Sequence, residues 1–159
     1  MNGQTLVSKT PVKKSLIMAA FKDLDHCNYF PLESEDLIAV AWLNKDSTFE
    51  KGPVEEQFFR KLCVLTSEPW QPVVSAGIHL CELCQFDAPG FFENVFIPYQ
   101  GKIFVAPVAI VHYISAHWYQ PPPIFVEAVL ACPPMKSMEY KKALLNNGGR
   151  DLVKAIGYL

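Results

Sequence analysis

No run of apolar residues in this chain approaches the ~20 that a membrane-spanning helix needs. The stretch closest to a signal peptide, Lys13 to Phe21, ends at once in Lys22 and Asp23. Charge of one sign is missing too: 14 Lys and Arg stand against 16 Asp and Glu, a net charge of -2. That balance gives no general pull toward nucleic acid or an anionic membrane. The one basic cluster, Lys9, Lys13 and Lys14, reads as a solvated tail over residues 1–14. There is no G-x-G-x-x-G, no P-loop and no G-x-S-x-G, so the nucleotide-binding and serine-hydrolase fingerprints are excluded. Five cysteines, an odd set, leave one over in any disulfide framework. A reducing compartment is the simpler expectation, and the sequence reads as a cytoplasmic protein with no membrane partner.

What is there is an ordinary globular chain. Its 159 residues are 50% hydrophobic and 19% charged, enough to bury a core as one domain over residues 15–159. A short helix or turn is expected near Ser15 to Leu24, and Leu37 to Leu43 reads as a buried strand closed by the Asn44-Lys45-Asp46 turn. Val54, Phe58, Leu62 and Leu65 recur at helical spacing behind Pro53, with Glu55 and Glu56 in the first turn, where the helix dipole favours acids. The chain then runs extended through Pro69 and Pro72. Asn94 to Pro98 and Lys102 to Val105 flank Tyr99-Gln100-Gly101 as a hairpin. Pro107 opens a helix halted by Pro121, Pro122 and Pro123, and further helices are expected over Ile124 to Ala131 and Ser137 to Asn146, followed by a short C-terminal turn. The fold class predicted is α+β: a metal knuckle, a hairpin and a following helix in treble-clef-like order, with several packing helices.

The informative stretch is G-I-H-L-C-E-L-C-Q-F, residues Gly77 to Phe86. A redox C-x-x-C needs its first cysteine at a helix N-terminus, where the dipole lowers the thiol pKa. Gln85-Phe86-Asp87-Ala88-Pro89-Gly90 is no helix start, so the redox reading weakens. A metal knuckle needs a tight turn and two more ligands from another element. His112 and His117, spaced H-x4-H in the predicted helix, supply them. On an ideal helix they lie about 140° apart, so the last turn has to distort for them to converge. Cys81, Cys84, His112 and His117 thus form a candidate Cys2His2 site for structural Zn²⁺, neutral once two thiolates balance the ion. His79 is a rival ligand, because H-x-C-x-x-C offers three donors in one loop. Cys63 and Cys132 read as small buried hydrophobes and Cys27 stays undecided. Trp42, Trp70, Trp118, Phe91 and Phe92 read as core.

F-K-D-L-D-H-C-N-Y-F-P, V-A-W-L, F-E-K-G-P-V, G-I-H-L-C-E-L-C, I-F-V-A-P, I-V-H-Y-I-S-A-H-W-Y-Q-P-P and F-V-E-A-V-L together resemble a group of bacterial proteins defined as a domain of unknown function. The resemblance covers about residues 21 to 135. It implies a bacterial cytoplasmic protein carrying both His/Cys segments, and it implies no activity.

Three functions compete. A closed four-ligand site without catalytic fingerprints points to a zinc-stabilised protein-interaction module, an adaptor or immunity-type protein with a protein partner. A zinc hydrolase would need three ligands, a bound water and a general base from Glu82, Asp87 or Glu93; the deaminase pattern H-x-E with P-C-x-x-C is absent. Nucleic-acid binding would need base-reading or phosphate-binding side chains, and V-A-I-V-H-Y-I carries no Arg or Lys.

Overall fold

The computed structural model describes residues 19–30, 37–73 and 78–155. Among them the chain builds a mixed α+β fold of two small sheets and five helices. The expected tail over 1–14 lies outside the described residues, as does the first part of the segment from Ser15. The described remainder, residues 19–24, holds no helix and turns at Asp23 and Leu24.

The centre is a three-stranded sheet in the order β1-β5-β4, made of β1 (Leu37–Ala39), β4 (Asn94–Tyr99) and β5 (Lys102–Pro107). The expected hairpin is β4–β5, with Tyr99 opposite Lys102 across a two-residue turn. Gln100 and Gly101 both take positive φ, 48° and 75°, the type I′ geometry that matches the twist of the strands. Its strands run past the expected ends, to Tyr99 and Pro107. β1 lies parallel to β5, with Leu37 beside Ile103 and Ala39 beside Val105. The outer edge of β1 is covered by residues 24–27, whose Cys27 N–H donates to Leu37 O at 2.9 Å while Ala39 N–H donates to Asp25 O at 2.8 Å.

The strand expected over Leu37 to Leu43 is shorter than its apolar run. Val40 N–H still donates to Val105 O at 3.0 Å, but Ala41 turns to a left-handed φ of 62°. Its N–H donates to the Asp23 carboxylate at 2.9 Å instead of a ladder partner. Residues 40–43 remain buried, so hydrophobicity here reports depth in the core and not extended backbone.

Helices cover the sheet. The first, α1 (Glu56–Ser67), buries Phe58, Leu62 and Leu65, the stripe its spacing predicts. Cys63 lies off that stripe and is half-exposed, which corrects the expectation of a buried thiol. α2 (Ile110–His117) begins three residues after Pro107, because Val108 N–H is still donating to Glu93 O (3.0 Å) at the end of the hairpin. α3 (Pro123–Ala131) starts on proline at its first position, where a missing N–H costs nothing. α4 (Met138–Asn146) is capped by Ser137, whose side chain accepts the Tyr140 N–H at 3.1 Å. The expected C-terminal turn is instead a short helix, α5 (Arg150–Ala155), entered through Gly148 at a φ of 87°.

The core between sheet and helices is continuous. Phe125 of α3 meets Phe58 of α1 at 6.3 Å and Phe104 of β5 at 6.2 Å between ring centroids. Each such fully buried ring contributes about 1.5–3 kcal/mol from burial alone. Polar atoms carried inward find partners: Trp42 Nε1–H donates to Val105 O at 2.9 Å, and the Tyr140 hydroxyl donates to Phe96 O at 2.6 Å. Trp42 is core, as expected, and Cys27 and Cys132 are buried. Phe92 and Trp118 are not core: they are 63% and 64% exposed.

Candidate metal centre

The second sheet carries the cysteine pair. β2 (His79–Leu80) and β3 (Gly90–Phe91) pair antiparallel, His79 opposite Phe91 and Leu80 opposite Gly90. Cys81 follows β2 directly, and its N–H donates to Pro89 O at 3.1 Å, so residues 82–88 form the loop of a miniature hairpin. The exposed Glu82 carboxylate accepts the Lys45 N–H at 2.9 Å and ties that loop to the turn that follows β1 and its buried run. Cys84 therefore lies in a loop held at both ends.

α2 supplies the histidines. His112 is its third residue and His117 its last. The helix end is unwound in the sense that convergence requires: the N–H groups of Trp118 and Tyr119 both donate to Tyr113 O, five and six residues back, where an α-helix spans four. Trp118 closes the helix at a left-handed φ of 59°. A wider last turn rotates less per residue, and the His112 and His117 rings come to 5.1 Å between centroids.

All four predicted ligands meet. The donor atoms of Cys81, Cys84, His112 and His117 lie within 4.8 Å of one another. Cys84 Sγ is 3.3 Å from the Nε2 of both histidines, and Cys81 Sγ is 3.4 Å from His117 Nε2. Zn–S bonds of ~2.3 Å and Zn–N bonds of ~2.0–2.1 Å at tetrahedral angles put ligand atoms about 3.3–3.8 Å apart. The observed separations fit such a group.

Those distances also suit S–H···N hydrogen bonds, but proton counting disfavours them as the whole explanation. Cys84 has one S–H proton and faces two imidazole nitrogens, while His117 Nε2 faces two sulfurs. One cation at the centre would satisfy every lone pair at once. Burial, then the neighbouring Cys81 thiol, raises the Cys84 pKa, and burial, then His117, lowers that of His112. Both shifts favour neutral groups, and a bound cation reverses the balance for the thiol by stabilising thiolate.

His79, the rival ligand, lies elsewhere. Its Nε2 is 2.7 Å from the hydroxyl of fully buried Tyr113, so it bridges β2 to α2 beside the cluster without joining it. Burial pushes the His79 pKa down to about 4, partly opposed by Glu82, and keeps the ring neutral near pH 7. Sequence reasoning missed this pair. The available signal was Tyr113 itself, a phenol in an apolar helix that needs a polar partner. The Phe91 ring of β3 lies 5.8 Å from that of His112, centroid to centroid, and packs β3 against α2. Among the proposed bases, Glu82 is engaged with Lys45 and Asp87 is exposed at the loop tip. All five cysteines are free thiols.

A family model described as a domain of unknown function, DUF7919, matches residues 19–130. The chain belongs to this family. The DUF7919 region takes in both small sheets, α1, α2, most of α3 and all four Cys/His residues, and it leaves α4 and α5 outside. No curated protein and no solved structure matches the chain.

Proposed function

We propose that Cys81, Cys84, His112 and His117 hold one Zn²⁺ as a closed structural site, and that the chain is a zinc-stabilised protein-interaction module of the adaptor or immunity type. The observation that carries the metal reading is the convergence of four donor atoms within 4.8 Å of one another, three of their separations at 3.3–3.4 Å. With four protein ligands no coordination position is left for water or substrate, so the ion would serve folding. It would clamp the β2–β3 hairpin, a two-residue ribbon too small to persist alone, onto the end of α2.

The order of knuckle, hairpin β4–β5 and helix supports a treble-clef-like description. The second ligand pair, however, runs along the helix from its third residue, His112, to its last, His117. A protein partner, and not nucleic acid, is favoured by the composition of α2, which carries neither Lys nor Arg. Five unpaired thiols support a reducing compartment, the bacterial cytoplasm in this reading, and among the described residues no helix is long and apolar enough to cross a membrane.

The competing hydrolase requires one ligand to leave and a base to take its place, and Glu82 is already accepting a backbone N–H. X-ray absorption of the zinc-loaded chain separates the two. Two sulfur and two nitrogen ligands support the closed site, whereas an oxygen in the first shell together with substrate turnover would replace it with the hydrolase.

A further inference from the structure

The loop after β1 and the end of α2 border an open cleft of about 840 Å³ beside the Cys/His cluster, with Leu83 and His117 in its wall. Its size is that of a small-molecule site. The walls are pinned at both ends. Asn44 Oδ1 accepts the Asp46 N–H and the Ser47 hydroxyl, and the Lys45 N–H bonds Glu82 of the knuckle. At the other end Gly52 N–H donates to Trp118 O at 3.0 Å, and Gln120 N–H donates to Glu50 O at 2.9 Å. A loop stitched to the knuckle and to the chain just past His117 is pre-organised, which lowers the ordering cost of binding.

The cleft is polarised in charge. Lys45 and Lys51 line it and no Asp or Glu does. Neither lysine is in an ion pair among the described residues, where Arg60–Glu56 forms one. Solvated lysines alone would mean little. Here two aromatic groups share the lining with them: Lys51 Nζ lies 5.4 Å from the Phe49 ring centroid, and Trp118 stands 64% exposed. Trp118 holds a left-handed φ of 59°, which is costly for a bulky side chain and persists where the surroundings enforce it. The result is an indole displayed at the rim instead of folded into the core.

We propose that this cleft binds a small organic anion, with a flat apolar body against Trp118 and Phe49 and a phosphate or carboxylate group toward Lys45 and Lys51. The last carbonyls of α2 carry the negative end of the helix dipole, so the anionic group is directed to the lysine wall and the flat body to the helix wall. This binding activity goes beyond the interaction-module reading and does not depend on which metal the cluster holds.

The test follows the Trp118 indole N–H by NMR in the full chain, assigned through Trp118→Phe, during titration with phenyl phosphate, benzoate, inorganic phosphate and phenol at low salt. A saturable shift is expected with an aromatic anion, at least about tenfold tighter than with phosphate or phenol alone. Lys45→Met with Lys51→Met should weaken it by about tenfold or more while metal content and the rest of the spectrum stay unchanged. Tighter binding of phenyl phosphate than of benzoate assigns the phosphate class, and the reverse order assigns the carboxylate. No saturable shift with either anion, or undiminished affinity in the double variant, overturns the proposal. Saturation by a poly-glutamate peptide alone would also overturn it and give the cleft to an acidic protein.

Discussion

Replacing Cys84 with serine should cost far more stability than replacing Cys63, although both are half-buried thiols with raised pKa values. Cys84 Sγ sits 3.3 Å from two imidazole nitrogens and shares the cluster with Cys81; Cys63 lies beside the buried stripe of α1. For Cys63→Ser the loss is that of a modest helix-face change, about 1 kcal/mol or less. For Cys84→Ser the chain loses a thiolate ligand, and with it the linked stabilisation of a bound ion. A metal present at 1,000 times its dissociation constant contributes about 4 kcal/mol, and structural zinc in isolated fingers contributes more. This fold has a core of its own, so the expected loss is about 3–5 kcal/mol and not complete unfolding. Urea unfolding of the wild type, both variants and each protein with chelator measures it. Chelator should bring the wild type and Cys63→Ser down by that amount and leave Cys84→Ser where it is. Equal chelator sensitivity in Cys84→Ser, or none in the wild type, would mean that Cys84 does not hold a stabilising ion.

Tyr113→Phe strands His79 Nε2 without its 2.7 Å partner, so it should cost about 1–3 kcal/mol in thermal unfolding while the metal content stays at its wild-type value. Gly149→Ala should destabilise by about 1–3 kcal/mol, because a Cβ there would meet Leu144 O at 2.7 Å and Ile103 Cδ1 at 2.8 Å; a melting temperature at or above the wild type's would contradict the close approach of Gly149 to α4 and β5. His79, held down to about 4 from an ordinary 6.5, contributes stability that is present above pH 6.5 and lost as the pH falls toward 4. In pH-dependent denaturation His79→Gln should therefore flatten the profile over that window, and an unchanged slope would count against the buried neutral ring. Zinc binding should release protons, the Cys84 thiol's among them, so affinity measured by competition should fall on acidification; a pH-independent affinity is the contrary result.

The parts of the fold legible in the sequence are those set by local rules. The hairpin turn at Gln100-Gly101, the α1 stripe and the spans of α3 and α4, expected from Ile124 and from Ser137, each follow from a few neighbouring residues. Features set by distant partners were not legible. Ala41 leaves the strand because Asp23 accepts its N–H, and Pro107 stays in the sheet because Val108 is bonded across to Glu93. The candidate site was unusually readable because cysteine and histidine spacing marks chemistry directly. Choosing between His79 and a helix histidine was not possible, since it turns on whether α2 unwinds at Tyr113 and on which hydroxyl the His79 ring meets. Trp118 read as core because its aromatic character says nothing of the left-handed cap that turns it outward.

Elemental analysis of protein purified without a metal-affinity tag, in the wild type, Cys84→Ser, His117→Ala and His79→Ala, decides whether these four side chains hold an ion. About one zinc per chain is expected in the wild type and in His79→Ala, and its loss from the other two, as four-ligand structural sites require. A wild type without metal, or a His79→Ala variant that loses it while His117→Ala keeps it, would contradict the assignment of these four ligands.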